Sequence, residues 1–259
     1  MTEVRFSDGA SYDHMMGPWS RSVGEGFLGW LQPSPGLDWL DVGCGSGAFT
    51  SLVAERCAPG AVLGIDPSEA QLDYARQRGL GPAVRFEIGE AGALPAGDQT
   101  IDMAVAALVI HFMPDPLGGV LEMTRVTKPG GRVAAYAWDL LNGGFPYDAL
   151  YSRMKSIGYP PPDPPSRTAA GLDELHRIWL AAGLTGIETR ALTVTRTFTD
   201  FDDYWRTAIT SPRIAAAVSQ IPADALGDLR LAVEAALPSL LDRRVVPRAT
   251  ANAILGRVA

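Results

Sequence analysis

Leu37-Asp38-Trp39-Leu40-Asp41-Val42-Gly43-Cys44-Gly45-Ser46-Gly47 is the stretch whose reading decides the fold. Leu37 to Val42 has the composition of a short buried strand. Phe49, Leu52, Val53 and Cys57 then recur at helical spacing, so the glycines fall in a turn between a strand and a helix. Glycine there permits a tight turn and lets backbone amides approach a ligand closely. Working outward, Ala61 to Ile65 reads as a second strand. Ser68 with Gln71 forms a capping-box pattern, Leu72 and Ala75 continue one apolar face, and Gly79 is placed to end that helix. Ala83 to Ile88 is a third strand, and Thr100 to Val109 is the near-continuous apolar run of a central strand covered on both faces. Leu117, Val120, Leu121 and Thr124 make the next helical stripe, ended by a structural turn at Lys128-Pro129-Gly130-Gly131, and Arg132 to Trp138 is a fifth strand. Strands alternating with helices predict an α/β, Rossmann-like, doubly wound, mostly parallel sheet.

The flanks read differently. Residues 1–36, with Tyr12, Trp19, Phe27 and Trp30, form an N-terminal arm or lid; residues 37–139 are the cofactor-binding core; residues 140–170 hold a cap insertion with the run Pro160-Pro161-Pro162-Asp163-Pro164-Pro165, which excludes regular helix or interior strand. In 171–259, Leu172, Leu175, Ile178, Trp179 and Ala182 share a helical face, Gly186 to Phe198 and Thr250 to Val258 read as the sixth and seventh strands, and a helical insertion lies at about 200–245. Both insertions are placed to cap the carboxyl ends of the strands, where open α/β sheets bind ligands.

Composition bounds the function. The 259 residues suffice for a self-supporting core, and 22 Lys and Arg against 29 Asp and Glu give a net charge of -7, which disfavours nucleic acid as a partner. Two cysteines, Cys44 and Cys57, give no disulfide framework. The first residues lack the pattern of a secretory signal, and the longest apolar run, Met103 to Ile110, is too short to span a bilayer, so the expectation is a soluble, cytoplasmic protein. No His or Cys spacing suggests a metal.

The glycine loop by itself admits two cofactors. Gly43, Gly45 and Ala48 also satisfy the dinucleotide fingerprint, with Asp66 at the distance of a ribose acceptor, so an NAD-dependent oxidoreductase is one reading. Against it, Asp41 just before the loop would repel a pyrophosphate and suits a ligand carrying an ammonium. The chain also lacks an obvious hydride-transfer set.

Four segments in register resemble the class I S-adenosylmethionine-dependent methyltransferases, in particular the type-11 small-molecule group related to quinone-biosynthesis enzymes: Leu40 to Gly47, Gly64-Ile65-Asp66, Gly89 to Pro95, and Leu121 to Arg125 leading into Lys128 to Gly131. The resemblance covers residues 37–139 and implies a seven-stranded sheet whose last strand is antiparallel. It implies S-adenosylmethionine as cofactor and S-adenosylhomocysteine as product. Gly43, Gly45 and Gly47 would underlie the methionyl and ribose parts, Asp41 would lie near the amino group, and Asp66 would accept from the ribose hydroxyls with Pro67 and Ser68 beside the adenine. Glu90 and Ala91 stand where the family has Asp-Ala at the adenine edge, a departure that touches the side-chain contact more than the backbone one. Ala107 and Leu108 fall where the family's backbone meets the methionyl group.

Tyr12, Met15, Met16 and Trp19 are placed to close over the cofactor, and Met16, Met154, Tyr159, Tyr204 and Trp205 are expected pocket walls. His111, read as the end of the fourth strand and so opening onto the cofactor, is the candidate general base, with a structural role holding the loop before Pro114 as its rival. Where nucleic-acid methyltransferases carry Asn/Asp-Pro-Pro-aromatic, this chain has Ala107-Leu108-Val109-Ile110. The expected activity is in-line methyl transfer to a small molecule, with a non-catalytic cofactor-binding protein as the other reading.

Overall fold

A computed structural model describes residues 9–259, with the side chains of residues 9–13, 212 and 213 outside the description. Among the described residues the strands form one seven-stranded sheet in the order β3 (Val84–Ile88), β2 (Ala61–Asp66), β1 (Asp38–Val42), β4 (Ile101–Ala107), β5 (Thr127–Trp138), β7 (Arg248–Arg257), β6 (Thr185–Thr195). β1 to β5 pair in parallel, and β7 runs antiparallel to both β5 and β6. Strand order reverses between β1 and β4, which opens a crevice beyond their carboxyl ends.

The period-2 alternation of side chains sorts the core into two layers. Trp39, Met103, Val105, Ala134 and Tyr136 point to one face, beneath α1 (Gly9–Leu31), α2 (Ala48–Arg56) and the insertions. Leu40, Ala104, Ala106, Val133 and Ala135 point to the other, beneath α4 (Pro116–Val126) and α6 (Leu172–Ala181). Both faces are covered, which is why β4 reads as an unbroken apolar run.

The N-terminal arm, interrupted in sequence by glycines and Pro18, is one 23-residue helix, α1. Met15, Met16, Trp19, Val23, Phe27 and Leu31 recur every three to four residues and are buried. Gly24 is required there: a Cβ at that position would lie 2.7 Å from Leu52 Cδ1, so its absence lets α1 approach α2.

Three local readings are corrected. Ser68 makes no side-chain cap at the start of α3 (Glu69–Arg76); its backbone N–H instead donates to Asp66 Oδ1 at 2.9 Å. Lys128 to Gly131 does not end a helix before a separate strand. β5 already starts at Thr127, and the register jumps from Ile101 opposite Thr127 to Met103 opposite Arg132, so the four residues loop out of the ladder. Lys128 Nζ meets Asp102 Oδ1 at 2.8 Å and Asp102 also accepts the Asp38 N–H, which gives the loop a structural duty. His111 does not extend β4 but sits in a 3-10 turn, Ile110–Phe112.

The cap insertion contains α5 (Asp148–Ser156), then the irregular proline run. Ser166, just past that run, donates from its N–H to the His111 carbonyl (3.1 Å) and from its hydroxyl to the Met113 carbonyl (2.8 Å), tying the excursion to the loop after β4. The second insertion folds as α7 (Phe201–Ala208), α8 (Pro212–Val218) and α9 (Ala223–Ala236). Among the described residues no helix is long and apolar enough to cross a membrane, and no cluster of three metal-ligating side chains occurs.

Candidate active site

The loop from Gly43 to Gly47 lies in the crevice between the carboxyl ends of β1 and β4. Gly43, Gly45 and Gly47 have φ of 70°, 51° and 76°, the left-handed region that other residues avoid. Gly43 and Cys44 both donate to the Ile65 carbonyl (2.7 and 2.9 Å), which pins the loop to β2. The three glycines have different neighbours. A Cβ on Gly43 would lie 2.4 Å from Val109 Cγ2, and one on Gly47 3.0 Å from Ala75 Cβ, whereas one on Gly45 would meet nothing within 4 Å. Packing therefore explains Gly43 and Gly47, and Gly45 faces open space on the loop's outer side.

Two acids flank the loop. Asp66, at the end of β2, accepts the Gly45 N–H on Oδ2 and the Ser68 N–H on Oδ1, both at 2.9 Å. Burial raises its pKa while those two backbone donors oppose the shift. Its carboxylate has lone pairs beyond the two engaged, enough to accept from a vicinal diol. Asp41 is 2% exposed; Thr50 Oγ1 donates to its Oδ2 at 2.6 Å, and Oδ1 has no partner. Burial pushes Asp41 up to about 7, Thr50 pulls it back, and the charge of Asp66 adds to the rise. Two partly or wholly buried carboxyls without an ion-paired cation among the described residues form a site that is incomplete by itself. A ligand bearing an ammonium beside Asp41 and a ribose beside Asp66 supplies what each lacks, and S-adenosylmethionine has both groups.

On the β4 side, Ala107 is half-buried and Leu108 adopts φ 59° while donating its N–H to Tyr136 O at 2.8 Å. A leucine in that region carries backbone strain of roughly 1–2 kcal/mol, and such strain clusters where ligands are held. Val109, next in the chain, packs against Gly43. Across the crevice, Pro67 and Glu90 are exposed and Ala91 half-buried. The segment after them is anchored by α4: Leu94 N–H donates to Glu122 Oε2 (2.9 Å), and Arg125 reaches the carbonyls of Leu94 and Ala96 (both 3.1 Å). This gives the Leu121 to Arg125 segment its purpose.

The remaining candidates lie in the interior. His111 is 4% exposed, its Nδ1 has no hydrogen-bond partner, and burial lowers it to about 4, so the imidazole is neutral at pH 7. Trp19 and Met16 of α1, Met154 of α5, and Tyr204 and Trp205 of α7 are buried in one cluster with Leu108, and Tyr159 packs partly buried against it. The structure thus brings four sequence-distant segments together, as packed side chains. Tyr12 lies in α1, its side chain outside the described residues.

Two residues escaped the sequence reading. Arg78, just past α3, donates from Nε to the Ser46 carbonyl at 2.5 Å and clamps the loop from behind. Thr50, in the first turn of α2, orients Asp41. Only Thr50 had a signal: its position nine residues after Asp41 carries it one helical turn past the loop.

Residues 40–135 match the family model of a methyltransferase domain. Malonyl-[acyl-carrier protein] O-methyltransferase of Serratia marcescens is 36% identical over 111 residues, 43% of this chain and 42% of that protein. Nocamycin O-methyltransferase of Saccharothrix syringae is 39% identical over 119 residues, 44% of this chain and 42% of that protein. The chain spans about two fifths of the length of these curated relatives. Haemonchus contortus phosphoethanolamine N-methyltransferase 2, solved with S-adenosyl-L-methionine, shares the fold with a TM-score of 0.60 and 17% identity, covering 95% of this chain and 56% of that one. With the glycine loop, the two acids and the anchored segment after Ala91 in register, residues 40–135 are similar to a methyltransferase domain.

Proposed function

We propose that this protein binds S-adenosylmethionine in the β1–β4 crevice and transfers its methyl group in line to a small-molecule nucleophile. The observation that carries the reading is the buried, unpartnered Oδ1 of Asp41 at the mouth of the glycine loop. A pyrophosphate would meet a repelling acid at that point; an ammonium finds its counter-ion. The bound cofactor supplies a methyl group already activated on a sulfonium. The chain's residues bind and orient: Asp41 holds the amino group, Asp66 accepts from the ribose hydroxyls, and the loop clamped by Arg78 keeps the backbone in its bound shape. Such placement is worth up to about 7–11 kcal/mol of the barrier.

The acceptor enters between α1 and the two insertions, where Met16, Met154, Tyr159, Tyr204 and Trp205 exclude water. The Tyr204 hydroxyl, buried without a partner, is the group that meets a polar atom of the acceptor. An unmet hydroxyl of this kind costs about 1–3 kcal/mol. His111, whose pKa burial lowers to about 4, is too weak a proton acceptor to serve as the base and instead positions the loop after β4 through its carbonyl bond to Ser166. Calorimetric titration tests the reading. S-adenosylhomocysteine is expected to bind one to one and NADH not at all; binding of NADH with no response to S-adenosylhomocysteine overturns it. Tight cofactor binding without methyl transfer across phenol, amine and carboxylate acceptors would instead leave a non-catalytic binder.

A further inference from the structure

The segment leaving β5 folds back on β7. Asp139 donates its N–H to the Thr250 carbonyl and Thr250 donates to the Gly144 carbonyl, both at 2.9 Å. Between this segment, α5 and the junction of α9 with β7 lies a cavity of about 420 Å³, within the range of about 300–1,000 Å³ typical of small-molecule sites. Phe145, Ala149, Leu237 and Pro247 give it apolar walls, and the exposed Arg153 and Arg248 are among its lining residues. Neither arginine is ion-paired among the described residues, whereas Arg21, Arg76, Arg125, Arg177 and Arg230 each hold a carboxylate. Asp148 also lines the cavity, its pKa raised by burial against the opposing charge of Arg167, and two arginines against this one carboxyl leave the lining net positive on a chain of net charge -7.

The cavity backs onto the acceptor cluster. The Phe145 ring lies 6.0 Å from Tyr147, and Tyr147 lies 5.5 Å from Tyr204. Tyr147, whose hydroxyl donates to the Met15 carbonyl of α1 at 2.9 Å, thus stands between the cavity and the interior hydroxyl of Tyr204. We propose that this cavity binds a small carboxylic acid on an apolar body, with Arg153 and Arg248 as its counter-charges and the buried Tyr147–Tyr204 ring pair as the wall that separates it from the methyl-transfer site. Arginine suits that duty because its planar fork matches a carboxylate in two parallel hydrogen bonds.

The test is calorimetric titration of octanoate into the whole chain, with and without saturating S-adenosylhomocysteine, beside octanol and octyltrimethylammonium as neutral and cationic probes of equal chain length. Octanoate is expected to bind one to one and at least tenfold tighter than either control. The charge-reversed variant Arg153→Glu/Arg248→Glu, and the milder Arg153→Gln/Arg248→Gln, are expected to lose octanoate affinity at least tenfold while keeping the affinity for S-adenosylhomocysteine and the melting temperature. The proposal is overturned if octanoate binds no better than octanol, if it fails to bind at all, or if the glutamine variant binds it like the parent chain. Loss of S-adenosylhomocysteine binding by the unmodified chain would strike the methyltransferase reading instead, and the octanoate titration without it still decides the cavity.

Discussion

Replacing Gly43 and Gly45 one at a time by alanine separates what the loop does for the fold from what it does for the cofactor. At Gly43, φ of 70° strains an alanine by roughly 1–2 kcal/mol. Its Cβ, 2.4 Å from Val109 Cγ2 and 3.0 Å from two further Val109 carbons, adds an overpacking cost of about 1–3 kcal/mol. Val109 follows the strained Leu108 and has little freedom to retreat. The total is about 2–5 kcal/mol, or a fall in Tm of about 4–20 °C for a chain of this size. At Gly45, φ of 51° carries the same backbone cost, but the new methyl meets no protein atom within 4 Å, so the Tm falls by only about 2–8 °C. That methyl instead occupies the loop's outer side, and the affinity for S-adenosylhomocysteine falls at least tenfold, a cost of about 1.4 kcal/mol. Differential scanning calorimetry and titration calorimetry on the two variants measure both quantities. The reasoning is refuted if Gly45→Ala loses as much stability as Gly43→Ala, or if it binds S-adenosylhomocysteine within twofold of the parent chain.

Two further outcomes follow from the buried acids and the histidine. Because the folded chain holds the Asp41 proton up to about 7 while the unfolded chain releases it near 4, stability falls as pH rises through that window; Asp41→Asn flattens this slope in urea titrations at a series of pH values and raises stability at pH 8 while abolishing cofactor binding. Binding of S-adenosylhomocysteine at pH 6 expels that proton, so its observed enthalpy depends on the ionisation enthalpy of the buffer, and an enthalpy identical in phosphate and Tris would refute the role given to Asp41. His111→Gln should lower kcat less than tenfold, since burial lowers its pKa to about 4 and makes the imidazole a weak proton acceptor; a drop of 100- to 10,000-fold with cofactor affinity intact would instead make it the base.

The site carries its own instability. Asp41 and Asp66 raise each other's energy across the loop, Leu108 holds a left-handed backbone, and the Tyr204 hydroxyl is unmet. Neighbouring structure maintains all of these: Thr50 donates to Asp41, Gly45 and Ser68 donate to Asp66, and Arg78 holds the Ser46 carbonyl. A site strained in this way favours a ligand bearing positive charge and hydroxyl donors, because such a ligand relieves what the fold tolerates.

By itself the sequence determined the elements and their order. The strand–glycine turn–helix unit at Leu37 to Cys57 and the alternation up to Trp138 are local patterns, written in residues two to four apart, and β1 to β5 follow from them with the acids Asp41 and Asp66 at their carboxyl ends. Whatever depends on segments distant in the chain was decided by the tertiary structure. Pro18 and five glycines hide a continuous α1 whose apolar stripe is stabilised only by packing on its neighbouring helices and the sheet. His111, which a strand reading would aim into the crevice, is turned inward by the 3-10 turn and sealed where Ser166, from beyond the proline run, bonds its carbonyl. Arg78 meets Ser46 from 32 residues away. The two arginines of the α5–β7 cavity, almost a hundred residues apart, become a pair because β7 inserts antiparallel beside β5 and brings its first residue level with the segment that leaves the sheet. Periodicity encodes the faces of single elements, but a site requires side chains from several elements to converge, and that convergence follows from the energetics of burying those faces together.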